Sequence, residues 1–137
     1  MKKKILVDLS ATILHHGHIR LIKKASKFGK VFIGLTTDKE IKKYKGYTPE
    51  IKYTFRKEIL ESIKYVKKVI PSKWKIDNAF LLKNKIDILI RGADYKKEKF
   101  KIKTIILPRT AKISSSIIRK KTSIILKNKT KAEKSKC

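Results

Sequence analysis

Residues 4–35 read KILVDLSATILHHGHIRLIKKASKFGKVFIGL, and the fold is decided here. Lys4-Ile5-Leu6-Val7-Asp8-Leu9 is a short, nearly continuous apolar run, the pattern of a buried strand. Residues 10–16 form a loop. Residues 17–28 then place Ile19, Leu21, Ile22, Ala25 and Phe28 mostly at three-to-four spacing, which predicts an amphipathic helix stopped by Gly29. Val31-Phe32-Ile33-Gly34-Leu35 is a second strand. Strand, loop, helix and strand within about 35 residues have the size of a parallel crossover unit.

Working outward, the alternation continues. Residues 42–51 are polar, contain Gly46 and Pro49, and read as a loop. Residues 54–65 predict a helix with Thr54 as N-cap. Residues 68–70 predict a strand ended by Pro71, 76–85 a helix, 86–90 a strand ended by Gly92, and 103–107 a strand ended by Pro108. Residues 114–127 predict a last helix capped by Ser114 or Ser115. Residues 128–137 lack an apolar pattern and read as a basic, flexible, solvated tail. The expectation is one α/β domain over 1–127: a Rossmann-like, doubly wound parallel sheet of five strands with helices on both faces. Ligands in such folds sit at the carboxyl ends of the strands.

Composition agrees with one domain. The chain has 137 residues, 41% of them hydrophobic, enough to bury a core. It carries 38 Lys and Arg against 11 acidic residues, a formal charge of +27. Such a surface attracts polyanions at low salt. However, the lysines run from Lys2 to Lys136 without a block, and aromatic residues make up only 8% with no stacking pattern. Specific nucleic-acid binding is therefore not expected, and a basic protein handling small anions fits equally well. The longest apolar runs fall far short of the ~18 residues of a membrane span. The apolar stretch after Met1-Lys2-Lys3-Lys4 stops at Asp8, too short for a secretory leader, so a cytoplasmic protein is expected. The lone Cys137 excludes an intrachain disulfide and a cysteine-based zinc site.

Two stretches carry candidate chemistry. His15, His16 and His18 are the chain's three histidines, and all lie at a strand-end loop around Gly17. Gly17 suits close backbone approach to a ligand. The helix starting there presents N–H groups and the positive end of its dipole, a ready phosphate site that His15 and His18 flank. Zinc is the weaker alternative, because no third protein ligand is evident beyond Asp8. The second stretch is Arg109-Thr110-Ala111-Lys112-Ile113-Ser114-Ser115-Ser116, between the last strand and the last helix and so on the same sheet edge. Arg109 and Lys112 supply charge, the serines supply hydroxyls, and Arg119 follows one turn on. The bland alternative is a capping serine run beside solvated cations. Only five arginines occur (Arg20, Arg56, Arg91, Arg109 and Arg119), and their planar fork suits phosphate. Lys43 and Lys45 lie on a basic loop able to close over a polyphosphate, or are ordinary surface lysines.

His15-His16-Gly17-His18 resembles the HxGH motif of the nucleotidylyltransferase superfamily. The stretch from Arg109 to Arg119 is similar to the RTxGISTTxI(K/R) motif of its cytidylyltransferase branch. Thr36-Thr37-Asp38, the segment 56–66 and Arg91-Gly92-Ala93-Asp94-Tyr95 follow in the order of glycerol-3-phosphate cytidylyltransferases. The resemblance covers roughly residues 3–120. It implies transfer of CMP from CTP to a phosphorylated alcohol or small phosphonate, with Mg2+ held mainly by nucleotide phosphates and a homodimer as the assembly. It gives catalytic roles to His15, His18, Lys45 and Arg109. Nucleotide binding would fall to Ser10, Gly17, Lys43, Gly92, Asp94, Thr110, Ser115, Ser116 and Arg119.

Departures from the family pattern are Thr12 for an aspartate, Ala93 within the usual GDDW, and Lys112 for the glycine of the serine motif. The Ser10-Ala11 pair before HHGH is also similar to phosphonate-pathway cytidylyltransferase domains. Three other readings stay open: an ATP-dependent adenylyltransferase of the same superfamily, an inactive nucleotide-binding relative, and a basic nucleic-acid-binding module.

Overall fold

The computed structural model describes residues 2–93 and 98–135, with side chains to residue 131. In chain order the elements are β1 Lys4–Leu9, α1 His16–Ala25, β2 Lys30–Thr36, α2 Asp38–Lys45, α3 Tyr53–Glu61, β3 Val66–Ser72, α4 Asn78–Lys83, β4 Ile88–Gly92, β5 Lys103–Leu107 and α5 Ser115–Ser135. The five strands form one sheet in the order β3-β2-β1-β4-β5, and every pairing is parallel. The expected doubly wound architecture is what the chain adopts.

β1 lies at the centre, so its apolar residues face both layers. Ile5 and Val7 pack with Ile22, Ala25, Ile33 and Leu60 beneath α1 and α3. Leu6 points the other way, to Leu81, Leu89 and Ile76 beside α4. This is the two-residue alternation of a strand read out on two cores. Each fully buried Val, Leu or Ile among them contributes roughly 1.5–3 kcal/mol. The order in which strands are added reverses between β1 and β4, and that switch point opens the crevice where α/β sheets bind ligands.

Several boundaries differ from expectation. Residues 42–45 are helical, as the last turn of α2. Thr37 caps its start and Gly46, at φ +79°, ends it. α1 stops at Ala25 and leaves Phe28 outside the helix, 41% exposed. α3 begins at Tyr53 after Lys52, so Thr54 is not its cap. α4 is shorter than expected and β3 longer. Pro71 lies inside β3, opposite Leu35; β3 is an edge strand, where a missing N–H is tolerated. α5 runs on to Ser135, through most of the stretch expected to be a tail. Its lysines are good helix formers, and an exposed helix needs no apolar periodicity.

Candidate active site

Ser115 joins two segments a hundred residues apart. Its hydroxyl donates to the Ile13 carbonyl at 2.9 Å and accepts from the Ile13 N–H at 3.2 Å. The β1–α1 loop is thereby clipped to the first turn of α5. Between them, at the carboxyl ends of the strands, lies a cavity of about 290 Å3. Its walls bring together Ser10, His15, Gly17, His18, Lys45, Gly92, Arg109, Thr110, Ser115, Ser116 and Arg119.

The two histidines build the start of α1. His15 is the N-cap, and its Nδ1 accepts from the Gly17 N–H at 3.1 Å. His18 returns the contact, its Nδ1 accepting from the His15 N–H at 3.2 Å. This is a capping box with imidazoles in place of the usual hydroxyl and carboxylate. The rings lie with centroids 3.9 Å apart. A Cβ on residue 17 would come within 2.8 Å of the His15 ring, so any other residue there would push the folded-back imidazole out of its place.

Burial, reinforced by a neighbouring imidazole and by Arg109, disfavours the cationic form of both rings. His15 is pushed below its ordinary value, chiefly by burial and then by His16 and Arg109. His18 falls to about 3, chiefly by burial and then by His15 and Arg109. Near neutral pH both rings are therefore uncharged. With Nδ1 engaged as acceptor, the ring proton resides on Nε2. Each imidazole is an N–H donor rather than a cation.

Arg109 stands beside Gly92, where an added Cβ would meet its Cγ at 3.7 Å. Ser114 caps α5, its hydroxyl accepting from the Ile117 N–H at 3.1 Å. The first turn of α5, like that of α1, thus opens on the cavity with its N–H groups leading. The preceding turn carries Lys112 at φ +62°, the left-handed region that favours glycine.

Some expected residues do other work. Lys43 does not line the cavity; its ammonium lies 5.4 Å from the Tyr44 ring centroid. In a helix, positions two apart point about 200° away from each other, so α2 sends Lys45 inward and Lys43 elsewhere. Arg119 lines the cavity, but its fork is held by Glu50 at 2.6 and 2.7 Å. Asp94 lies outside the described residues. Two of the remaining arginines are structural struts. Arg56, fully buried, holds Asp38 and the carbonyls of Ile51 and Ser10. Arg91, 2% exposed, holds both oxygens of Asp8 and one of Glu98.

The structure adds Thr12, Arg20, Lys24, Tyr47 and Trp74 to the cavity walls. Trp74 is the chain's one tryptophan. It follows β3, at the strand end where the fold rule places ligands, and that rule was the available signal. Its backbone N–H donates to the Glu40 carboxylate at 3.1 Å and its ring stacks on Tyr44. Arg20 and Lys24 extend the Gly17 face of α1 by one and two turns. Among the described residues no group of three His, Cys, Asp or Glu side chains lies close enough to hold a metal ion, and no helix is long and apolar enough to cross a membrane.

Known proteins resemble this chain in sequence and in fold. The profile of the cytidylyltransferase-like family matches residues 11–121. A glycerol-3-phosphate cytidylyltransferase of Bacillus subtilis (strain 168) is 31% identical over 122 residues, 85% of this chain and 95% of that protein. One of Staphylococcus aureus (strain NCTC 8325 / PS 47) is 35% identical over 125 residues, 85% of this chain and 92% of that protein. In fold, the chain resembles the lipopolysaccharide core biosynthesis protein of Thermoplasma volcanium GSS1, with a TM-score of 0.69 and 19% identity over 79% of this chain and 98% of that one. A family match over most of the length, on the segments that form the cavity, means that the chain belongs to the cytidylyltransferase-like family and is a nucleotidyltransferase.

Proposed function

We propose that the enzyme transfers CMP from CTP to a small phosphorylated alcohol of the glycerol 3-phosphate kind. The observation that carries this reading is the single cavity in which His15, His18, Lys45, Arg109 and the start of α5 converge. The names of the relatives that match over most of both chains favour this acceptor.

In this reaction a phosphate oxygen of the acceptor attacks the α-phosphorus of CTP in line. The new P–O bond forms as the bond to the β-phosphate oxygen breaks, and pyrophosphate leaves. The attacking oxygen is already anionic near neutral pH, so no base is needed. Catalysis is then positioning and charge stabilisation. The Nε2–H groups of His15 and His18 donate to the non-bridging oxygens of the α-phosphate. Neutral donors suit this task, because they leave no buried cation when the site is empty. Lys45, Arg109, Ser116 and the N-terminus of α5 meet the departing pyrophosphate. Gly92 and Thr110 complete the nucleotide wall.

Mg2+, in this reading, rides on the nucleotide. Asp8 is committed to Arg91, and among the described residues no carboxylate cluster could hold the ion. The ion would neutralise phosphate charge there. A homodimer belongs to the same reading and is checked by analytical ultracentrifugation.

Pyrophosphate release is the test, with CTP or ATP against glycerol 3-phosphate, other polyol phosphates and 2-aminoethylphosphonate. Turnover is expected with CTP and a polyol phosphate. Removing the His18 donor by His18→Ala is expected to slow it about a hundredfold or more. Release with ATP alone, with phosphonate alone, or with no acceptor at all contradicts the proposal.

A further inference from the structure

Beside the β1–α1 loop and α1, two further stretches from distant parts of the chain line the cavity. One carries Lys45, Tyr47 and Trp74; the other carries Arg109 to Arg119. Lys45 ends α2 at Gly46, whose left-handed backbone has no heavy atom within 4 Å of an added Cβ. The segment 46–52 that follows bridges α2 to α3. Its far end is fixed, because Arg56 donates to the Ile51 carbonyl at 3.0 Å. Between Gly46 and Ile51, Glu50 ties the segment to the α5 stretch by accepting both Arg119 hydrogen bonds. The Arg119 guanidinium also lies 4.6 Å from the Tyr47 ring centroid. Arg119 thus holds the loop twice, by a bidentate ion pair and by a cation–π contact.

We propose that Glu50 is a positioning residue: through Arg119 it clasps the 46–52 loop to α5 and so sets where Tyr47 and Lys45 stand on the cavity wall. Arg119, read from its motif as a nucleotide ligand, acts in this account as the loop's anchor. The pair is partly exposed, with side chains 24% and 48% accessible. Exposed pairs are weak, so the clasp governs local geometry with little effect on global stability.

The test has two arms, and only the kinetic one rests on the functional reading above. Steady-state kinetics compare the wild type with Glu50→Ala, Arg119→Ala and the double variant. Glu50→Ala is expected to raise KM for CTP about two- to fivefold with kcat within twofold. It should change nothing further in the Arg119→Ala background. The second arm reads Trp74, the one tryptophan, on the same wall. Acrylamide quenching of its fluorescence should increase in both single variants while the thermal midpoint holds. Unchanged KM and unchanged quenching in a folded Glu50→Ala protein overturn the clasp. A lowered KM overturns it too, since it would mean that Glu50 competes with substrate for Arg119. If the wild type turns over no substrate, the functional reading fails and quenching alone decides the clasp.

Discussion

Replacing His18 with glutamine should make the protein resist mild acid better than the wild type does. The folded His18 ring titrates at about 3 against an ordinary 6.5. Between those values the unfolded chain binds a proton that the folded chain refuses. Stability from this site is therefore complete above about pH 6.5 and is lost progressively as the pH falls toward 3. Integrating the proton uptake from pH 7 to pH 5 gives about 2 kcal/mol. The figure is insensitive to the folded value, because at pH 5 the folded ring is still neutral. His15, also pushed down, adds to the loss. Glutamine is the apt replacement because it is a natural partner at the third position of a capping box, able to accept from the His15 N–H without titrating. The assay is urea unfolding at pH 7 and pH 5 for both proteins. The wild type should lose about 2 kcal/mol more than His18→Gln over that interval. Equal losses, or a His18 NMR titration midpoint above 6, would refute the buried neutral donor and with it the role given to Nε2–H.

Other consequences follow from single residues. Lys112 carries a side chain at φ +62°. Lys112→Gly should therefore raise stability by about 0.5–1 kcal/mol, measured by urea midpoint, and leave the capping of α5 intact. Arg91→Met removes the partner of Asp8, whose side chain is 9% exposed. It should cost roughly 3–5 kcal/mol by the same measurement, because a charge is left buried alone. Ser115→Ala breaks both bonds to Ile13. A loss of about 1–2 kcal/mol is expected, together with a weaker CTP affinity by calorimetry as the two halves of the cavity part.

What the sequence revealed, and what it hid, follows from how each residue earns its position. β1 and β2 were legible because buried strands demand apolar runs, and Ile5, Leu6 and Val7 leave no other reading; β5, only partly buried, was legible from the run Ile105-Ile106-Leu107 ended by Pro108. α2 was hidden because one buried residue, Ile41, anchors it, and a helix with one apolar contact has no periodicity to detect. α5 outran its apolar pattern for the opposite reason: from Lys120 to Lys131 it touches little, so propensity alone sets its length. At the site, residues acting through backbone geometry were legible. His15, Gly17, His18 and the serines sit at helix starts, which spacing reveals. Residues acting through partners were not. Arg56, Arg91 and Arg119 look alike in one dimension, as scarce arginines in a lysine-rich chain. Each pairs with a carboxylate far off in sequence, 18, 83 and 69 positions away, and only folding shows that two are buried struts and the third ties two stretches of the cavity wall together. A guanidinium already matched by a carboxylate has less field left for phosphate. In the proposed reaction the polyphosphate would therefore rely less on Arg119 than its motif implies, and more on the other cations of the wall, the helix termini and the two uncharged imidazoles.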